Sequence, residues 1–399
     1  MKPYAFVFPG QGAQSVGMLD AWGDHPAVRE VLAEAADALG EDLGRLIREG
    51  PAQALELTTN TQPVMLTAGI ACYRAWRAEG GPEPAAVAGH SLGEYSALVA
   101  AGALSLRDAL PLVRFRAQAM QQAVPVGAGA MAAILGLDSQ AVVEGCAKAA
   151  SDTGAVVSAA NFNDPKQTVI SGAKAGVDKA CEILKGMGAK RALPLAVSAP
   201  FHCALMKPAA DALRDRLATA DIRPPKMPVV NNIDVASVGE PEAIRDALNR
   251  QAFGPVRWVE VVQALRARGL THVFECGPGK VLTGMVKRID GEAVSASVFD
   301  PTSLRDAPVT NATGVPLMST SPLRRAASVV RLRWLWRAMA FGSSAPAPPK
   351  LAPLRSRKRY RKPMRRPAAG VRCSTSTMPL LPMPWSSRSS SKTVACKCW

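Results

Sequence analysis

Gly89-His90-Ser91-Leu92-Gly93 sets a serine between two glycines, after the apolar run Ala85-Ala86-Val87-Ala88 and before Glu94-Tyr95-Ser96-Ala97-Leu98-Val99-Ala100-Ala101. The first run predicts a strand and the second a helix, with Ser91 on the tight turn between them. Glycine on each side keeps side chains away from a hydroxyl that must stand exposed to a substrate. This is the arrangement of a nucleophile elbow, and it points to acyl transfer or hydrolysis through a covalent ester. A serine that merely caps a helix has the same local spelling, so the rest of the chain must decide.

Working outward, residues 4–8 predict a buried strand ended by Pro9 and Gly10. The loop Gly10-Gln11-Gly12-Ala13-Gln14 follows, where backbone can approach a ligand closely. It has neither GxGxxG spacing nor a Walker lysine, so a nucleotide reading has little support. Helices are predicted over 26–39 and from Thr61-Gln62-Pro63 through Trp76. Short apolar strands alternating with amphipathic helices define an α/β core.

Between residues 127 and 197 the rhythm changes. Strands are predicted over 130–135, 156–161, 168–171 and 191–195, with helices over 139–150 and 177–187. That β-α-β-β-α-β order is the ferredoxin-like pattern, here a small domain inserted into a larger one. The core resumes with a helix over 207–220, a strand at Val229-Val230, a helix over 256–268 and a strand over 271–275. Cys276-Gly277-Pro278-Gly279 then makes a strand-to-loop junction of the kind where open α/β sheets place ligands. The reading is therefore a core in two parts, 1–126 and 198–309, a ferredoxin-like insertion over 127–197, and an atypical tail over 310–399.

The formal charge of +16 resides in that tail, which holds 18 Lys and Arg and no Asp or Glu. The preceding part has 30 basic and 32 acidic residues. Such a near-neutral body resembles a soluble enzyme, and no nucleic acid is expected to bind it. The tail reads as disordered or translated out of frame. A nucleic-acid-binding arm around Arg355-Ser356-Arg357-Lys358-Arg359-Tyr360-Arg361-Lys362 is the alternative of a different class. Cys72, Cys146, Cys181, Cys203 and Cys276 include no closely spaced pair, which favours a reducing compartment over a zinc site or disulfide scaffold. No signal peptide is recognisable and no segment approaches the roughly 20 apolar residues of a membrane span. A cytoplasmic location, without membrane, metal or bound cofactor, is expected.

A serine hydroxyl needs a base, because almost none of it is alkoxide at neutral pH. The chain offers His25, His90, His202 and His272. His25 in an early polar loop and His272 at a strand entrance are explained as surface or packing residues. His90 adjoins the serine, but neighbouring side chains on a turn diverge, so it is a supporting residue. His202, in Ser198-Ala199-Pro200-Phe201-His202-Cys203, follows a strand and precedes a helix, where an imidazole can reach across a cleft. A helix-capping or solvent-facing histidine is the alternative there. The N–H of Leu92, just after the nucleophile at a helix start, suits an oxyanion donor.

Further motifs carry a specific resemblance. They are Phe8-Pro9-Gly10-Gln11-Gly12-Ala13-Gln14, Thr61-Gln62-Pro63, Gly89-His90-Ser91-Leu92-Gly93-Glu94-Tyr95 and Arg114-Phe115-Arg116 with Met120-Gln121. Pro200-Phe201-His202-Cys203-Ala204-Leu205-Met206, Gln251-Ala252-Phe253-Gly254-Pro255-Val256-Arg257-Trp258 and Glu275-Cys276-Gly277-Pro278-Gly279 follow in order. From residue 2 to about 300 the chain resembles the malonyl-CoA:acyl carrier protein transacylases of bacterial fatty-acid synthesis, and more broadly the acyltransferase domains of polyketide synthases.

The resemblance implies an α/β-hydrolase-like core with the inserted ferredoxin-like domain. It implies Ser91 as nucleophile and His202 as base, with a backbone carbonyl at Gln251 in place of an acidic third member. It implies a second oxyanion donor from the backbone of Gln11, and Arg116 paired bidentately with the free carboxylate of malonate. By default an arginine on a helix over 112–122 would be a solvated surface residue. Phe201, beside the base, is expected to narrow the acyl pocket. The implied partners are malonyl-CoA, as substrate, and acyl carrier protein, whose acidic surface would meet Lys174, Lys179, Lys185, Lys190 and Arg191. A solvated helix face explains those residues as well. The chain is expected to act as a monomer. A polyketide-type pathway, or a serine thioesterase or hydrolase on a related scaffold, is the alternative within the enzyme class.

Overall fold

The computed structural model describes residues 2–308. The basic tail assigned to 310–399 lies outside the described residues. The strands are β1 (Tyr4–Phe8), β2 (Ala86–Gly89), β3 (Gly129–Leu135), β4 (Val157–Asp164), β5 (Gln167–Ala173), β6 (Arg191–Pro194), β7 (Val229–Val230), β8 (His272–Cys276) and β9 (Val294–Val298). They form a five-stranded sheet in the order β7-β2-β1-β8-β9 and a four-stranded sheet in the order β4-β5-β3-β6.

Every pairing in the larger sheet is parallel. Such a sheet must be covered on both faces, and β1 is buried at all five positions. Because side chains alternate along a strand, Tyr4, Phe6 and Phe8 belong to one apolar cluster, and Ala5 and Val7 to another. The first cluster is built on the helix Thr58–Ala78, with Phe6 edge-on to Trp76 at a centroid distance of 5.3 Å. The second receives Trp258, Val261, Val262 and Leu265, together with Leu282, Met285 and Val286. This is the α/β-hydrolase-like core.

The smaller sheet is antiparallel and has the ferredoxin-like strand order. Ala132 and Ile134 of β3 pack with Val142, Cys146, Val177 and Leu184 of its two helices, while Met131 and Ala133 join the principal core. Alternation thus gives the insertion a core of its own and a face toward the larger body.

Some elements differ from the sequence reading. The helix expected from residue 256 begins at Trp258, because Val256 bonds with Ala160 and Phe162 and bridges Asn161 on β4. The helix expected near Thr61 starts a turn earlier, at Thr58, and carries Pro63 inside it. The helix Pro241–Phe253 and strand β9 were not anticipated. The former lies in a charged stretch yet buries Ile244, Ala247, Leu248, Gln251 and Ala252 at helical spacing. Among the described residues, no helix is long and apolar enough to cross a membrane.

Candidate active site

The larger sheet presents the carboxyl ends of β1 and β2 to one crevice, the position where open parallel sheets hold ligands. β2 ends at Gly89, and Ser91 takes a φ of 53° before the helix Gly93–Ala100 begins. That left-handed conformation is costly for a side-chain-bearing residue and is held by its surroundings. A Cβ on Gly89 would overlap the Gly93 carbonyl, and one on Gly93 would overlap the carbonyl oxygen of Phe8. Both glycines are therefore required for close approach of backbone. Gly93→Ala is expected to destabilise the protein by about 3 kcal/mol, as overpacking against backbone does. A lowered urea midpoint would report it.

Asn232 fastens the turn from beneath. Its Oδ1 accepts from the Ser91 N–H at 2.7 Å, and its Nδ2 donates to the Gly89 carbonyl at 2.7 Å. Neither the Leu92 N–H nor the Gln11 N–H has a hydrogen-bond acceptor among the described residues. The Gln11 side chain is tied down, its Oε1 accepting from Thr58 Oγ1 at 2.5 Å.

His202 is brought to the serine, with Nε2 2.7 Å from Ser91 Oγ. Its Nδ1 faces the carbonyls of Gln251 at 3.0 Å and Gly254 at 3.2 Å. Carbonyl oxygens only accept, so Nδ1 carries the proton and Nε2 presents its lone pair to the hydroxyl. The residue is buried, which removes the capping or solvent-facing alternative. Burial, and then the charge of Arg116, pushes the imidazole down to about 3. His90 points elsewhere. Its Nε2 lies 2.8 Å from Asn163 Oδ1 and its ring packs on Trp258, and burial pushes it down to about 4. His25 lies 3.4 Å from Glu79, and His272 is paired through Nδ1 with Thr271.

Arg116 is 2% exposed, on the helix Leu106–Gln122, so the default of a solvated helix face does not hold. One terminal nitrogen donates to Gln62 Oε1 at 2.6 Å, and the other to Ser91 Oγ at 3.2 Å and Gln251 Oε1 at 3.0 Å. Gln62 in turn donates to Thr58 Oγ1, so the arginine is linked to the Gln11 loop. A small, partly open pocket is lined by Gln11, His90, Ser91, Arg116, Asn161, Phe201 and His202, with Met120 and Met131. The geometry joins a hydroxyl, a neutral imidazole and a buried cation at one small opening. Such a site can form and cleave an ester whose acyl group ends in an anion.

Sequence reasoning gave no role to Gln62, Asn161, Asn163 or Asn232. The Asn231-Asn232 pair directly after the apolar strand β7 was an available signal, since polar residues at the carboxyl end of a buried strand border the crevice. On the small domain, Lys174 pairs with Asp178 at 2.6 Å and Lys179 with Glu182 at 3.2 Å.

The family described as acyl transferase domain matches residues 5–318. The chain is 52% identical over 305 residues to the malonyl CoA-acyl carrier protein transacylase of Escherichia coli K12, covering 76% of this chain and 98% of that one. It is similar to the crystal structure of an acyl-carrier-protein S-malonyltransferase from Burkholderia pseudomallei 1710b, with 67% identity and a TM-score of 0.75, over 77% of this chain and 99% of that one. It is also similar, at 48% identity and a TM-score of 0.75, to a malonyl-transacylase solved with a type II polyketide acyl carrier protein, over 77% of this chain and 99% of that one.

Proposed function

The chain belongs to the acyl transferase domain family, and we propose that it moves a malonyl group from malonyl-CoA to the phosphopantetheine thiol of acyl carrier protein through an ester on Ser91. The observation that carries the substrate assignment is the buried guanidinium of Arg116, 3.2 Å from Ser91 Oγ. A malonyl group on that oxygen would place its free carboxylate beside the fork of donors. An acetyl group would leave the buried cation without an anion, a penalty that discriminates more strongly than size.

The reaction follows from the geometry. As Ser91 Oγ attacks the thioester carbon, its proton passes to His202 Nε2. Negative charge grows on the former carbonyl oxygen, toward the N–H groups of Leu92 and Gln11, where one such donor contributes about 3 kcal/mol. The carbon–sulfur bond then breaks and His202 returns the proton to the CoA sulfur. In the second half-reaction the carrier thiol gives its proton to His202 and its sulfur attacks the malonyl ester. The ester bond breaks and Ser91 recovers its proton from His202. The two carbonyls behind Nδ1 keep its proton in place, so that only Nε2 exchanges protons, and Phe201, which lines the pocket, would narrow its acyl end. Ping-pong kinetics follow, and action as a monomer is part of the same proposal.

This chemistry supplies malonyl units on acyl carrier protein for fatty-acid synthesis. A polyketide carrier is a second reading of the acceptor, supported by the 48%-identical transacylase solved with such a carrier. The test is intact-protein mass after brief mixing with malonyl-CoA or acetyl-CoA. A malonyl adduct discharged by acyl carrier protein, with little acetyl adduct, is expected. CoA release without an adduct would favour a hydrolase instead.

The pH dependence of acylation is a separate expectation. A protonated imidazole cannot act as base, and His202 is held near 3 by burial and Arg116. The neutral form therefore persists well below the ordinary histidine value of about 6.5. Single-turnover acylation by malonyl-CoA is expected to fall less than about twofold from pH 8 to pH 5.5. A half-maximal point near 6.5 would show an unperturbed base.

A further inference from the structure

Glu94 is a carboxyl on the first turn of the helix that follows the nucleophile, and it is 2% exposed. Burying such a group costs free energy unless its partners compensate. Both of its donors address a single oxygen. Glu94 Oε2 accepts from the Asn232 N–H at 2.9 Å and from Gln251 Nε2 at 3.0 Å. Each donor residue reaches the reacting groups. Asn232 holds the backbone on both sides of the elbow, through the Ser91 N–H and the Gly89 carbonyl. Gln251 offers its own carbonyl to His202 Nδ1, its Nε2 to the Ser91 carbonyl at 3.0 Å, and its Oε1 to Arg116.

We propose that Glu94 is a positioning residue for malonyl transfer, whose one buried oxygen fixes the amide of Gln251 and the backbone of Asn232 and thereby aims Arg116 and Ser91 together. The argument lies in the two ends of an amide. With Nε2 facing the acceptors Glu94 Oε2 and Ser91 O, Oε1 is left to accept from Arg116. Turned over, the amide would set N–H against the guanidinium and oxygen against two oxygens. Removal of Glu94 takes away one of the two acceptors that hold the amide the right way round. Glu94 touches none of the reacting atoms. Burial pushes its carboxyl up to about 7, against the hydrogen bonds from Gln251 and Asn232 and the charge of Arg116. The acceptor oxygen serves in either protonation state, since a proton on the other oxygen leaves it free to accept.

The inference rests on the malonyl-transfer reading, and the wild-type protein in the same assay separates the two. Absence of a wild-type malonyl adduct would sink that reading itself. The variants are Glu94→Gln, which keeps a carbonyl acceptor without charge, and Glu94→Asp and Glu94→Leu. Aspartate keeps the charge but is one methylene too short for both donors, and leucine removes the acceptor. Steady-state transfer with malonyl-CoA and single-turnover acylation with malonyl-CoA and acetyl-CoA are measured beside thermal unfolding. Glu94→Gln is expected to stay within about threefold of wild type. Folded Glu94→Asp and Glu94→Leu are expected to lose about 10²-fold in kcat with little change in KM, the cost of misplaced reacting groups. Their malonyl-over-acetyl preference is expected to fall about tenfold, which loss of stability alone would not produce. If leucine prevents folding, aspartate carries the comparison. The proposal is overturned if folded Glu94→Asp keeps both rate and preference, if Glu94→Gln loses as much as Glu94→Leu, or if neither aspartate nor leucine folds.

Discussion

Ser91→Ala is expected to form no malonyl adduct and to lower transfer to acyl carrier protein by about 10⁴-fold or more, the scale on which loss of a triad member acts. The oxygen it removes is the one that His202 approaches at 2.7 Å and Arg116 at 3.2 Å. The remaining cavity keeps its arginine and its two backbone donors, so binding of malonyl-CoA is expected to survive while chemistry does not. His202→Ala removes the base for the same hydroxyl. The double variant is expected to be no slower than either single one, because groups acting as a unit are not additive. Quenched-flow acylation followed by intact mass checks all three proteins. An adduct in Ser91→Ala would place the nucleophile elsewhere.

Arg116→Ala is expected to lower kcat/KM for malonyl-CoA by about 10²–10³-fold, matching the 2–5 kcal/mol lost when one partner of a buried charge pair is removed. Acetyl-CoA has no carboxylate to lose, so its kcat/KM is expected to change much less and the preference to narrow or reverse. The comparison with lysine is informative. The guanidinium holds Gln62 Oε1 and Gln251 Oε1 on different nitrogens while facing Ser91 Oγ. A single ammonium cannot reproduce that fork, so Arg116→Lys is expected to recover only a small part of the loss. Paired acylation assays with the two thioesters check both variants. Equal losses for malonyl and acetyl groups would mean that Arg116 supports the site without selecting the acyl chain.

The elements around the elbow were legible because the signal is local. Glycine, serine and glycine at alternate positions after an apolar run specify a turn that backbone must enter closely, and steric contacts at Gly89 and Gly93 give the physical reason. The ferredoxin-like order was legible through period changes between strands and helices. Partners far apart in sequence were less so. His202 lies 111 residues from Ser91, and on its own pattern it was one of several histidines. Arg116 had no local mark, since a helical arginine is solvated by default, and only the resemblance turned it inward. Glu94, Asn232 and Gln62 escaped for the same reason. For Glu94 and Asn232 the meaning is a set of hydrogen bonds closed only when β7, the helix Pro241–Phe253 and the elbow come together, and for Gln62 it is a bond closed when the helices Thr58–Ala78 and Leu106–Gln122 pack. Val256 shows the converse: periodicity assigned it to a helix, and a tertiary bridge to β4 took it out.

The order of pairing in the larger sheet also bears on how a ribosome delivers this protein. β1 emerges first, yet its register with β8 matches Tyr4 to His272 and Val7 to Glu275, so one edge of the founding strand waits for nearly the whole described chain. The antiparallel sheet closes over 129–194 and asks for no such delay. Local pairings form quickly and distant parallel ones slowly. The insertion can therefore acquire its own order while the nascent core still carries a buried-type strand with one edge of backbone N–H and C=O groups unpaired. That interval, rather than the finished fold, is where chaperone capture and misassembly would have their opportunity.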